Sequence, residues 1–215
     1  MTKIAMPITV DYYFSPISGY AYLGHGEFLS LSDKAKFNVR FYPIDIVKVF
    51  ASTNTTPPAK QADARKSYRT EDMARYAQRY NIPINLHPKH WPVPSDLACK
   101  AIIACKHLGL NQGQVTGVIL KGVWAQDADI ADINSLQTLL NNAGLPGVDI
   151  LSFSEKSSVE LEFKHFTQTA INNGIFGSPT YLLDKERFWG QDRLAMLQER
   201  ITLYSTTSKK TVSEE

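Results

Sequence analysis

The sequence predicts an α/β fold in which both ends of the chain share one mixed β-sheet and a block of helices is inserted between them. Three observations predict it. The opening residues read strand, helix, strand; the residues after about 175 read strand, strand, helix; the stretch between is helical in period almost throughout. At 215 residues the chain can bury one good core, and about 100–200 residues per domain is usual, so one domain with a large insertion is expected.

The elements follow in order. Residues 7–14, PITVDYYF, are rich in β-branched and aromatic types and read as a strand. From about 17 to 32 apolar residues recur near the helical period, broken by Gly24 and Gly26. Phe37 to Tyr42 alternates and is closed by Pro43, a second strand. A helix between two strands is a crossover, so the pair is expected to be parallel. The polar stretch STNTTPPAK, with Pro57 and Pro58, reads as a loop. The segment ARKSYRTEDMARYAQRY then places Tyr68, Asp72, Tyr76 and Tyr80 four apart on one side of a helix, a spacing usual for a packing face.

Residues 95–109 and 111–125 are two more apolar-periodic segments, split by Gly109, and Asn134 to Asn142 is another, with Gly144 as its C-cap. A long helix is expected over about 155–173, ending at Asn172-Asn173-Gly174. Pro179 to Leu183 and Arg187 to Trp189, separated by Asp184-Lys185-Glu186, suit a hairpin. A final helix opens at Gly190-Gln191-Asp192-Arg193 and runs to about 203, with Asp192 in its first turn where the dipole favours an anion. After Tyr204 the composition is that of a disordered tail. The simplest architecture that fits is a thioredoxin-like domain from residues 1–50 and 174–204, a helical insertion over 51–173 and a tail over 205–215.

Composition excludes several functions. A net charge of +2 without a basic stripe argues against an electrostatic nucleic-acid binder. No run of about 18 apolar residues suggests a membrane span. The start, MTKIAMPITVDYYF, lacks the apolar core and cleavage site of a signal peptide, so a cytoplasmic protein is expected. Cys99 and Cys105 stand six positions apart in a helical segment, a rotation of about 240°, and so face different ways; both read as buried apolar residues rather than a disulfide. His87 and His90 have no partners at zinc-like spacing, and no metal site is expected.

Chemistry concentrates at the strand-to-helix junction, where Ser15 and Ser18 flank the break. Open α/β sheets bind ligands beyond the carboxyl ends of their strands, and a helix N-terminus there presents free N–H groups to an anion. Ser18 has two readings: a donor to such a ligand, or an N-cap contributing about 1 kcal/mol to stability. Gly177-Ser178-Pro179-Thr180, entering the strand at the other end of the chain, is a candidate for a cis peptide bond.

SPISGYAYLG near the start and FGSPTYLLDKERFWGQDRL near the end together resemble the 2-hydroxychromene-2-carboxylate isomerases. These belong to the DsbA-like thioredoxin superfamily, beside the kappa-class glutathione transferases. IDIVKVFASTNTTPP, ARYAQRYNIP and VWAQDADI look like further family segments in order, so the resemblance spans most of the chain. It places Ser18 and Ala21 where redox relatives carry the two cysteines of CxxC. Disulfide exchange needs two thiols, which excludes a DsbA-type oxidoreductase here.

What the resemblance implies is a fold that holds the thiol of glutathione. Ser18 would donate to the thiolate. The main chain of Ser178, before a cis-Pro179, would pair with the cysteinyl backbone, and Gln191 and Asp192 would receive the γ-glutamyl end. Asn54 and Arg65 match positions that help bind glutathione. Taken alone, Asp192 reads as a helix-dipole residue, and Arg65 reads equally as a surface charge. Tyr20, Trp124 and Trp189 would wall a small, flat aromatic substrate, or belong to the core. The family reaction converts a bicyclic hemiketal into an open-chain benzylidene pyruvate. A homodimer is implied by analogy. Three departures stand out: Gly19 where proline is common, Ala59 or Lys60 where an asparagine is frequent, and Gln126 where glutamate is common. The alternatives are a kappa-like transferase or peroxidase, and a glutathione- or peptide-binding module without turnover.

Overall fold

The structure is a computed structural model that describes residues 8–213, with side chains through Tyr204. Its sheet begins with β1 (Thr9–Phe14), α1 (Gly19–Ala35) and β2 (Asn38–Pro43). The crossover helix returns the chain so that β2 lies parallel to β1, with Asp11 opposite Arg40. After the helical block come β3 (Thr180–Leu183) and β4 (Glu186–Trp189), an antiparallel hairpin in which β3 also pairs antiparallel with β1. The strand order β2-β1-β3-β4 thus joins the two chain ends at the β1–β3 ladder, as expected.

Between the halves lie α2 (Ile46–Ser52), α3 (Asp63–Tyr80), α4 (Asp96–His107), α5 (Gln112–Gln126), α6 (Ile133–Asn142), α7 (Gly147–Ser154) and α8 (Ser157–Asn172). The last helix, α9 (Leu194–Ser213), follows a 3-10 turn at Gln191–Arg193.

The apolar run of β1 is buried on both faces, as a central strand requires. On one face Tyr12 stacks on Phe14 (4.4 Å between centroids) and Tyr181 (5.3 Å) and meets Phe28 of α1 (4.9 Å). On the other, Tyr13, Ile44, Val49, Ile175 and Leu182 form a second cluster near α2 and α8. His25 of α1 is enclosed in the first cluster's layer: Nε2 lies 2.8 Å from the Gly113 carbonyl, and burial pulls its pKa down to about 4. Cys99 and Cys105 are free, buried and in different clusters, as their helical offset predicts.

Two helices carried no expectation, and two expectations need correction. The segment IVKVF, β-branched and without a clear helical period, is nonetheless α2, because Asp45 caps it by accepting from the N–H groups of Val47 and Lys48. α7 was equally unmarked, a short helix entered from Pro146. Asp192 lies in the 3-10 turn before α9 rather than in its first turn. α9 continues past 203 to Ser213, so the tail expected to be disordered is helical in its described part; extending a formed helix fixes one residue per added bond. Residue 7 of the first strand and residues 214–215 lie outside the described residues. Among the described residues no helix is long and apolar enough to cross a membrane.

Candidate active site

At the end of β1 the chain turns tightly, the Ser18 N–H donating to the Ser15 carbonyl at 3.0 Å. Ser18 is the N-cap of α1: its backbone is extended, and its Oγ accepts from the Ala21 N–H at 3.2 Å. The same Oγ donates to the carbonyl of Ser178 at 3.0 Å. A second bond runs the other way, from the Ser15 N–H to Ser178 Oγ at 2.9 Å. The Ser178–Pro179 peptide is cis, as the family resemblance implied, and Trp91–Pro92 is cis as well. The Pro179 carbonyl accepts from Gly190 N–H at 2.9 Å. Three segments far apart in sequence, 15–18, 177–180 and 189–193, therefore meet beyond the sheet edge.

They form one side of a cavity of about 750 Å³, within the usual size of a small-molecule site. The opposite wall is a face of α3, from Arg65 through Tyr68, Arg69 and Asp72 to Tyr76. Of the row on α3, Tyr68, Asp72 and Tyr76 line the cavity, while Tyr76 also packs against the core. Tyr68 is exposed, and the core side of this helix carries Met73 and Ala77. At the end of the row Tyr80 donates to Gln191 Oε1 at 2.8 Å. Gln191 is 1% exposed, and its Nε2 has no partner among the described residues; the same holds for Ser15 Oγ. Both residues line the cavity.

Of the residues expected at the site, Ser18, Ser178, Gln191, Asp192, Arg65, Tyr20 and Trp189 line this cavity, and Pro179 adjoins it through the cis bond. Trp189 lies against Gly177, where any Cβ would overlap its indole. Gly190 has φ +103, and a side chain there would crowd the Asp192 carboxylate, which pairs with Arg193. Tyr20 donates to Asp72 Oδ2 at 2.9 Å; burial and that carboxylate hold its hydroxyl protonated far above the ordinary range.

Two residues fall elsewhere. Asn54 is exposed and outside the cavity lining; it sits at φ +53, a conformation asparagine tolerates, while its neighbours Thr55 and Thr56 reach the wall. Trp124 is fully buried and belongs to the core. Trp91 takes the wall position instead, its indole N–H donating to the Ile17 carbonyl at 2.9 Å and its ring 5.7 Å from that of Trp124. Gly19 also has a local reason: Met73 Cε and Trp124 Cζ2 occupy the space a Cβ would need.

A model of the DSBA-like thioredoxin domain matches residues 9–202. The chain belongs to the DSBA-like thioredoxin family. A 2-hydroxychromene-2-carboxylate isomerase from Pseudomonas sp. (strain C18) is 28% identical over 201 residues, covering 90% of each chain. A solved 2-hydroxychromene-2-carboxylate isomerase has a TM-score of 0.82 over 95% of this chain and 99% of its own, at 22% identity. The cytosolic disulfide reductase DsbM of Pseudomonas aeruginosa, solved with GSH, has a TM-score of 0.64 over 94% and 100%, at 17% identity. At these identities the two structures show the fold.

The thiols of this DSBA-like chain lie away from the cavity. Its only cysteines, Cys99 and Cys105, lie buried in α4, and burial pushes both thiols up, that of Cys105 to about 12. The helix start carries Ser18 and Ala21, and neither cysteine is among the residues that line the cavity.

Proposed function

We propose that the protein is a glutathione-dependent isomerase of the 2-hydroxychromene-2-carboxylate type, with Ser18 holding the glutathione sulfur as thiolate. The observation that carries this reading is the meeting of the Ser18 hydroxyl, at the N-terminus of α1, with the Ser178 carbonyl before cis-Pro179, on a cavity without a cysteine. The isomerase relative supports the reaction class, and the fold shared with a disulfide reductase solved with GSH supports the ligand.

The residues fit glutathione. Two buried polar atoms without partners among the described residues, Ser15 Oγ and Gln191 Nε2, belong to residues that line a cavity a charged tripeptide would fill. Gln191, its amide oxygen held by Tyr80, offers Nε2 to the γ-glutamyl carboxylate, and Asp192 offers its carboxylate to the ammonium. Arg65, exposed and on the wall, adds a cation. When bound, glutathione supplies a sulfur nucleophile that adds reversibly to a conjugated double bond, which permits bond rotation or ring opening.

Ser18 does the electrostatic work. A thiol of pKa about 8.5 is about 3% ionised at pH 7; lowering it to about 6.5 gives about 75% and requires about 2.7 kcal/mol. The α1 N-terminus and one hydroxyl donor to the sulfur are of that size together. Ser18 Oγ must then exchange the Ser178 carbonyl for the sulfur. Ser178 is not left unpaired, because its carbonyl accepts the backbone N–H of the bound peptide, as in an added strand. The rings of Tyr20, Trp91 and Trp189 wall the remaining space for a flat substrate.

Incubation with 2-hydroxychromene-2-carboxylate, with and without glutathione, tests the reading. Interconversion with its open-chain isomer only when glutathione is present is the expected result. Turnover without glutathione, or accumulation of a stable conjugate as in a transferase, would overturn it.

A further inference from the structure

Arg69 lines the cavity from α3 and, unlike the other arginines of the chain, is not exposed; Arg65 and Arg79 also have no carboxylate partner among the described residues, but they are open to water. Arg40, Arg75, Arg193 and Arg200 each meet a carboxylate. Arg69 is half-buried, and no group among the described residues accepts a hydrogen bond from its guanidinium. Asp72, one helical turn on, is engaged by the Tyr20 hydroxyl instead. What surrounds the Arg69 guanidinium is aromatic: its central carbon lies 5.0 Å from the Trp91 ring centroid, 5.4 Å from Trp124 and 5.8 Å from Tyr20.

Rings favour the cation through their π-faces but accept none of its five N–H donors in the way an oxygen does. A guanidinium set among rings, with its side-chain donors unused and lining a cavity, matches a planar acceptor with two oxygens. A carboxylate meets that description, pairing through two parallel N–H···O bonds. Burial lowers the Arg69 pKa, but from a value so high that the group remains a cation at neutral pH.

We propose that Arg69 is the carboxylate-binding residue for the organic acid substrate. The rings of Tyr20 and Trp91 then lie beside the conjugated part of that acid, in the same cavity as Ser18. This deepens the isomerase reading and rests on it. Glutathione also carries carboxylates, so the test must tell the two sources apart.

Binding of trans-cinnamate and of its neutral amide is followed by tryptophan fluorescence, since Trp91 and Trp124 adjoin Arg69. In the unsubstituted protein cinnamate should bind at least about tenfold more tightly than cinnamamide. Arg69→Gln should abolish that preference while leaving the glutathione dissociation constant within about twofold, and Arg69→Lys should restore it only in part. Equal binding of acid and amide by the unsubstituted protein would overturn the proposal without any variant. So would Arg69→Gln weakening glutathione and sparing cinnamate, which would assign the residue to the tripeptide. The acid-against-amide comparison uses no glutathione. Failure to bind glutathione would therefore count against the thiolate reading alone.

Discussion

The Ser18 hydroxyl donates to the carbonyl of Ser178 at 3.0 Å, joining residues 160 positions apart in sequence across the two ends of the chain. The same oxygen accepts from the Ala21 N–H, so it serves at once as helix cap and as clasp to the cis-proline loop. A hydroxyl can donate only once. Donation to a sulfur therefore requires that the Ser178 carbonyl find another donor, and a bound peptide backbone provides one.

Replacing Ser18 by Ala should cost about 1–2 kcal/mol of stability, from the lost cap and the lost bond to Ser178. Its effect on turnover should be large near pH 7 and small near pH 9, where glutathione ionises without help. A urea titration alongside a pH–rate profile separates the two effects. A loss of turnover equal at both pH values would leave Ser18 with a structural role only.

Asp192→Asn should raise the glutathione dissociation constant about three- to tenfold with little change in folding, because Asp192 is exposed and its only ion-pair partner among the described residues is the neighbouring Arg193. Calorimetric titration checks this, and an unchanged constant would remove Asp192 from the site.

Gly19→Ala should destabilise the protein despite the better helix propensity of alanine, because Met73 and Trp124 fill the space of the new methyl. In a Met73→Ala background the same change should be neutral or stabilising. A double-mutant cycle measures the coupling, and additive effects would show that the two positions are independent.

His25 should make the fold acid-sensitive. Its pKa is about 4 in the native state against an ordinary value of 6.5, so between these values the unfolded chain binds the proton and the native chain does not. Stability is thus full above about pH 6.5 and falls toward pH 4, by on the order of 3 kcal/mol. Urea midpoints at pH 7 and pH 4.5 should fall farther apart for the unsubstituted protein than for His25→Gln.

Much of this was legible in the sequence, for physical reasons. Strands with β-branched and aromatic runs, the parallel first pair and the terminal hairpin follow from local composition and spacing. Ser18, Ser178 and Gln191 sit in short motifs whose context is strand–turn–helix or turn–strand, so their convergence follows from topology. The α3 wall was visible as a row but not as a wall: a face of Tyr68, Asp72, Tyr76 and Tyr80 has the same spacing whether it meets a core or a cavity. Trp91 and Trp124 differ in role only through tertiary packing, which puts one ring on the surface of the cavity and the other behind it. Arg69 carries no local signal at all, since its place among Tyr20, Trp91 and Trp124 depends on tertiary packing.

The most direct test is a pH titration of the ultraviolet thiolate band of glutathione in the presence of saturating protein. The account predicts saturable binding, with thiolate forming well below pH 8 and its midpoint shifted back toward 8.5 in Ser18→Ala. Glutathione bound with an unshifted thiol would contradict it and leave a binding module; no binding at millimolar glutathione would contradict it altogether.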